Sequence, residues 1–405
     1  MVGRLLVVVA CATGCGRIDF TARGPDAGAP AADARGDAAA GAIELCNGID
    51  DDGDGQVDEG CPCAAFAQSW NPVDDDVGLV WLGDRYAVLY ADASNDYIAT
   101  VDAGGLGAAA AIVPVGPGVE FPEWTRGIAW NGSEADVIWA SPNGLELARY
   151  TFSGNAAPTK LGELAVATTA VAANYLRIVW AGDRFAVAWL GAGDSLVHLR
   201  EVAAGGLLGT EQTYPALSTL TMMTGFAASA DAYLIAGTDA GDAPYMLHVR
   251  RPSLAADSPV ALTQLPDGFR LDIVAGPGGF GVVLADSAIE QAHFLSVGDD
   301  GTPAALAFVI PSSADGGFNE PTINATPDGY HIDGVSYGTG PTDHAIYYVV
   351  MAPDGGVLVA PTTYASFSAS AYDFTGTVIA AGRTGTTYAY DGGAGLVMDL
   401  VQDCH

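Results

Sequence analysis

Four carboxylates at short, regular spacing, Asp50, Asp52, Asp54 and Asp58, fall in the run Cys46-Asn-Gly-Ile-Asp50-Asp51-Asp52-Gly53-Asp54-Gly55-Gln56-Val57-Asp58-Glu59-Gly60-Cys61. A hard divalent cation takes roughly six to eight oxygen ligands, and acids at this spacing can converge on one centre. So many like charges in one loop call for a counter-ion. The chemistry this predicts is Ca2+ binding; the competing reading is an acidic linker without an ion. Cys46 and Cys61 flank the run and are placed to staple it shut.

The run resembles an EF-hand-type loop, the metal-binding repeat of secreted bacterial proteins, and the aspartate loops of thrombospondin type 3 repeats and dockerins. On that resemblance Asp50, Asp52, Asp54 and Asp58 take loop positions one, three, five and nine. Gly55 takes the sharp turn, Gln56 offers its backbone carbonyl, and Val57 pins the loop. Two residues depart from the pattern. Cys61 stands where a bidentate acid is usual, which leaves Glu59 to substitute, and Gly53 stands where the bacterial repeat has an inner cysteine. The implied ligand set is Asp50, Asp52, Asp54, Gln56, Asp58 and Glu59.

Other chemistry is sparse. His198, His248, His293 and His344 fall at similar depths in successive repeats, which predicts repeat-equivalent positions at blade edges rather than one converging site. Ser313-Ala-Asp315-Gly-Gly317-Phe318 is a distant, single likeness of a sialidase Asp box. Nucleophile elbow, zinc-protease, phosphate-loop and dinucleotide motifs are absent. Trp70, Trp124, Trp139 and Trp189 are predicted as core rather than as a carbohydrate platform.

The elements that position these residues begin with an export signal. Arg4 gives a positive start, and Leu5 to Ala12 is apolar but too short to span a bilayer. Ala12-Thr13-Gly14-Cys15 resembles a bacterial lipobox, with Val8-Val9-Ala10-Cys11 as a competing fit. The resemblance implies cleavage within residues 1–15 and lipid on Cys15. Four cysteines then remain, and four allow three pairings in an exported chain; Cys46–Cys61 and Cys63–Cys404 are the expected ones. Residues 16–43, rich in Ala, Gly, Pro and Asp, cannot bury enough surface to offset chain entropy and read as a disordered tether. Residues 44–63 form the acidic loop module.

Residues 64–405 carry a pattern that returns about every 48 residues, the signature of an array of small β units. It reads Trp81-Leu-Gly-Asp-Arg-Tyr86, Trp130-Asn-Gly132 and Trp180-Ala-Gly-Asp-Arg-Phe185, with worn copies at Ala230–Tyr233, Pro277–Phe280, Pro327–Tyr330 and Thr375–Val378. Each unit offers about four strands with Gly-rich turns after the third, as at Ala203–Gly206, Gly298–Gly301 and Pro353–Gly356. The architecture this resembles is a β-propeller of about seven four-stranded blades. Leu396–Val401 is a terminal strand suited to close such a ring, and a Cys63–Cys404 bond would lock it.

The chain has 48 acidic residues against 15 Lys plus Arg, a formal charge of −33. That field repels phosphate backbones and anionic membranes, so nucleic acid is excluded as a partner and membrane contact is expected through the lipid only. The expected protein is exported, held in the cell envelope or secreted, and non-enzymatic, with a propeller head for a protein or glycan ligand. The alternative is an exported propeller hydrolase or lyase acting on glycans; a third is an envelope-assembly subunit with an exposed apolar patch.

Overall fold

A computed structural model describes residues 66–404, except 71–73, 92–94, 103–109, 118–125, 142–143, 154–156, 169–170, 192–193, 195, 216–219, 287–290, 312–317, 338–343, 368–370, 381–382 and 392–395. All regular elements among the described residues are β-strands. After β1 (Phe66–Trp70), six antiparallel sheets follow in chain order. Blade 1 is β2–β5 (Asp74–Trp81, Arg85–Ala91, Asn95–Asp102, Ala110–Pro117) and blade 2 is β6–β9 (Arg126–Trp130, Ala135–Ser141, Gly144–Thr151, Thr159–Ala167). Blade 3 is β10–β13 (Val171–Trp180, Arg184–Gly191, Leu196–Ala203, Gln212–Pro215). Blade 4 is β14–β18 (Leu220–Ala228, Ala232–Asp239, Pro244–Arg250, Ala255–Ala256, Val260–Ala261). Blade 5 is β19–β22 (Gly268–Gly276, Gly279–Asp286, Ala292–Gly298, Phe308–Val309) and blade 6 is β23–β26 (Asn319–Thr326, Gly329–Tyr337, His344–Met351, Val357–Phe367).

The closing sheet is composite. It contains β27 (Ala371–Ala380), β28 (Arg383–Asp391) and β29 (Leu396–Cys404), with β1 paired outside β29 in the register Phe66 to Gln402. The innermost strands β2, β6, β10, β14, β19, β23 and β27 neighbour one another in that cyclic order, and β27 returns to β2. The ring is therefore closed, and the chain is an all-β propeller.

Against the expectation of about seven like blades, six are contiguous in sequence and the remaining sheet is assembled from both ends. Four strands per sheet fails once, in blade 4, where two-residue β17 and β18 share the outer edge of β16. The worn copy at Thr375–Val378 is also corrected. It lies within β27, and the hairpin of that sheet joins Ala380 to Arg383 instead.

Burial explains the sequence of the second strands. Each blade is covered on both faces by its neighbours, so a strand near its middle needs apolar residues on both sides rather than alternation. β20 (Gly279–Asp286) is buried at every position and β11 at all but its first. Outer strand β9 is instead exposed or half-buried until its last two residues. Trp139 and Trp189 are buried, as expected of core tryptophans. Aromatics pack edge-on or tilted across the hairpins: Trp81 meets Tyr86 at 4.8 Å and Trp180 meets Phe185 at 4.8 Å.

Candidate functional site

The expected Ca2+ ligands Asp50, Asp52, Asp54, Gln56, Asp58 and Glu59, the lipidation residue Cys15, and Cys46, Cys61 and Cys63 lie outside the described residues. Cys404 ends β29, its backbone opposite Arg383.

Within the ring, polar side chains gather where one blade meets the next. The register shows why. The last residue of each first strand pairs with a residue at or next to the start of the second: Trp130 with Ala135, Trp180 with Phe185. The second-strand residue one further on pairs with the third strand, giving Asp136 with Arg149, Ala186 with Glu201 and Leu234 with His248. Arg149, Glu201 and His248 thus occupy one repeat position, and each meets the following blade.

Arg149 donates to Glu134 at 2.6 Å, and the other Glu134 oxygen accepts the Gly205 amide of blade 3 at 3.1 Å. Glu201 accepts Arg184 at 2.9 Å and the Tyr233 hydroxyl of blade 4 at 2.7 Å. The His248 Nδ1 sits 2.7 Å from Asp257 and its Nε2 2.9 Å from the Asp299 carbonyl of blade 5. The Gly-rich turns are the other half of these contacts. A Cβ on Gly206 (φ 86°) would come within 3.2 Å of the Arg149 side chain, and one on Gly301 (φ 79°) within 2.7 Å of the His248 ring. Only a residue without a side chain lets the turn lie flat on the neighbouring blade in that backbone conformation.

Nearer the axis, other bonds cross between inner strands. The Arg177 Nε donates to the Thr224 carbonyl at 2.9 Å, and Asp272 accepts the Ile323 amide at 3.2 Å. Burial pushes the Asp272 carboxyl up to about 7, offset in part by the Ile323 and Ile273 amides and by Arg177.

A cavity of about 610 Å³ opens at the seam of blades 4 and 5. His248, Arg251 and Asp257 line it but are committed to structure: Arg251 donates to the Ala181 and Ser229 carbonyls and pairs with Asp183. The hydrogen bond from His248, then Arg250, holds Asp257 below the usual carboxylate range. The backbone amide of Thr302 does the same for Asp300. Asp231, Asp299 and Asp300 are exposed on turns around the opening. The arrangement offers exposed carboxyl groups to a solvated polar ligand.

The four histidines do not share one depth. His198 pairs with Trp189 and His293 with Leu284, which are equivalent positions, but His248 pairs with Leu234 and His344 with Tyr337. The His198 ring stacks on Trp189 and lies between Glu211 at 2.8 Å and Asp194 at 3.1 Å. Burial lowers His293 from its ordinary value. No group of three or more metal-ligating side chains occurs among the described residues. Sequence reasoning missed Asp136 and Asp272, two acids inside second and inner strands; their only signal was a charge interrupting an apolar strand.

Exposed apolar side chains lie on the rim of blades 5 and 6: Leu306, Val309, Val357, Leu358 and Val359. No helix among the described residues is long and apolar enough to cross a membrane.

No family model matches the chain. No curated protein matches it either. Among solved structures, it is similar to a structure described as the Dos1 propeller, with TM-score 0.50 and 10% identity over 82% of this chain and 79% of that one. The WD40 domain of Toxoplasma gondii coronin gives 0.48 at 10% identity over 85% and 87%. A protein from Lactobacillus plantarum gives 0.49 at 14% over 84% and 96%. At these identities the likeness is one of fold alone.

Proposed function

We propose that the chain is a non-enzymatic, surface-anchored binding protein. Lipid on Cys15 holds it to the envelope, residues 16–43 tether it, the loop of residues 44–63 binds Ca2+, and the propeller head takes a protein or glycan partner. What supports a binding head is the condition of its best-placed histidine. A general base needs one ring nitrogen facing substrate. Both His248 nitrogens at the seam cavity face protein acceptors instead, and the groups left for a ligand are turn carboxylates on Asp231, Asp299 and Asp300.

Incubating the mature chain with a panel of envelope and plant polysaccharides tests this against the hydrolase or lyase alternative. The expected outcome is retention on at least one matrix, or on a protein partner, with no new reducing ends. New reducing ends that disappear in a His248→Ala variant would overturn the proposal.

Titration calorimetry with Ca2+ tests the loop, where heat is expected by millimolar ion and its absence would reject the site. The Cys63–Cys404 bond is supported by the pairing of β1 with β29, since Cys63 lies just before one strand and Cys404 at the end of the other. Cys404→Ser is expected to lower the melting temperature.

A further inference from the structure

Asp136 is buried, and neither of its carboxyl oxygens has a hydrogen-bond partner. An acid so placed costs stability unless something uses it. Packing does not require it: the equivalent residues in blades 1 and 3 are Ala87 and Ala186, both buried. It shares a strand face with Ile138, which packs in one apolar cluster with Phe185 and Val187 of blade 3. The charged groups that face it are Glu134 from its own hairpin and Arg149 from β8; blade 3 covers that pair with the Gly205–Gly206 turn and brings no charge to it.

The arginine is satisfied on one side only. Its Nη2 binds Glu134, while its Nε is buried without an acceptor. Asp136, directly opposite Arg149 in the ladder, is the one acid in register to accept that Nε–H.

We propose that the seam between blades 2 and 3 is a proton-operated latch, closed while Asp136 carries its proton and released when that proton passes to solvent. With Asp136 neutral, Arg149 belongs to Glu134, and Glu134 holds the Gly205 amide. Loss of the proton leaves two neighbouring carboxylates competing for one guanidinium. Asp136 draws Arg149 toward itself, Glu134 is repelled, and the Gly205–Leu207 turn loses its acceptor. Burial, and then Glu134, push the Asp136 carboxyl up to about 8 against the pull of Arg149. The folded-state value lies above the unfolded one, so closure is complete at low pH and is lost as pH rises through about 8.

Amide hydrogen exchange on the mature chain, corrected for base catalysis, tests this. Protection of the Gly205–Leu207 amides is expected to fall about tenfold between pH 6.5 and 8.5, the change that one unit of linked proton loss produces. The turn at Gly301, which covers no buried acid, should keep its protection. In Asp136→Asn the fall at Gly205–Leu207 should vanish, and Asp136→Ala, which copies blades 1 and 3, provides a second fold-compatible variant. A fall of equal size in either variant, or an equal fall at Gly301, would overturn the latch, as would constant protection in the native chain.

Discussion

Blades 2 and 3 repeat one plan with the charges exchanged. In blade 3 the hairpin supplies Arg184 and the third strand supplies Glu201; in blade 2 the same positions hold Glu134 and Arg149. Both acids then reach the next blade, one to the Tyr233 hydroxyl and one to the Gly205 amide. The seam therefore selects for an acid spanning two blades and does not specify which strand carries it. The aromatic partner is equally free to move. Phe185 meets Trp180 from the second strand, but blade 2 has Ala135 there, and Trp130 instead meets Phe152 from beyond β8 at 5.8 Å. What blade 2 has and blade 3 lacks is a buried acid beneath the pair.

The comparison breaks most severely at the aromatic. Phe185→Ala imposes the Ala135 arrangement on a blade with no substitute ring, and chemical denaturation should show a loss of about 3–5 kcal/mol. Reversing the ion pair is the sharper test. Glu134→Arg or Arg149→Glu alone should each cost about 3 kcal/mol by leaving a largely buried charge unpaired. The double variant, which gives blade 2 the polarity of blade 3, should recover about 1–2 kcal/mol of the sum in a double-mutant cycle.

Asp136→Ala should stabilise by about 1–3 kcal/mol at pH 9, because an unsatisfied buried group is removed. The gain should shrink as pH falls below about 8, where the native acid regains its proton, and disappear near pH 4. The smallest effect is expected at the rim of the same blade. Lys160 and Glu163 pair in the open on β9, and Lys160→Ala should change stability by no more than about 0.5 kcal/mol.

Much of the head was legible in the residues. Apolar second strands, hairpins after Trp81 and Trp180, and glycine turns after third strands follow from local rules, and the ring follows from their repetition. The assignment of Leu396–Val401 to a closing strand also holds, within β29. The histidines show where counting fails. His248 stands two residues farther from Tyr233 than His198 does from Phe185, and six residues rather than four separate the second strand from the third at His344. An antiparallel ladder converts these differences into unequal register. The seam contacts were illegible for a related reason. Glu134 and Gly205 are 71 residues apart, and no local pattern ties them together. The terminal copy at Thr375 was misplaced because the hairpin itself, Ala380-Ala-Gly-Arg383, is followed by Thr384 and lacks the aromatic that marks the other copies.

The composite sheet has a consequence for how the molecule comes into being. Among the described residues, β1 is the first strand of the head to leave the ribosome, and its one ladder neighbour, β29, is the last. Every blade must be synthesised while that opening ribbon waits unpaired, so the wheel is completed in a single terminal event, and a product cut short before Leu396 would leave its own beginning exposed as a sticky edge.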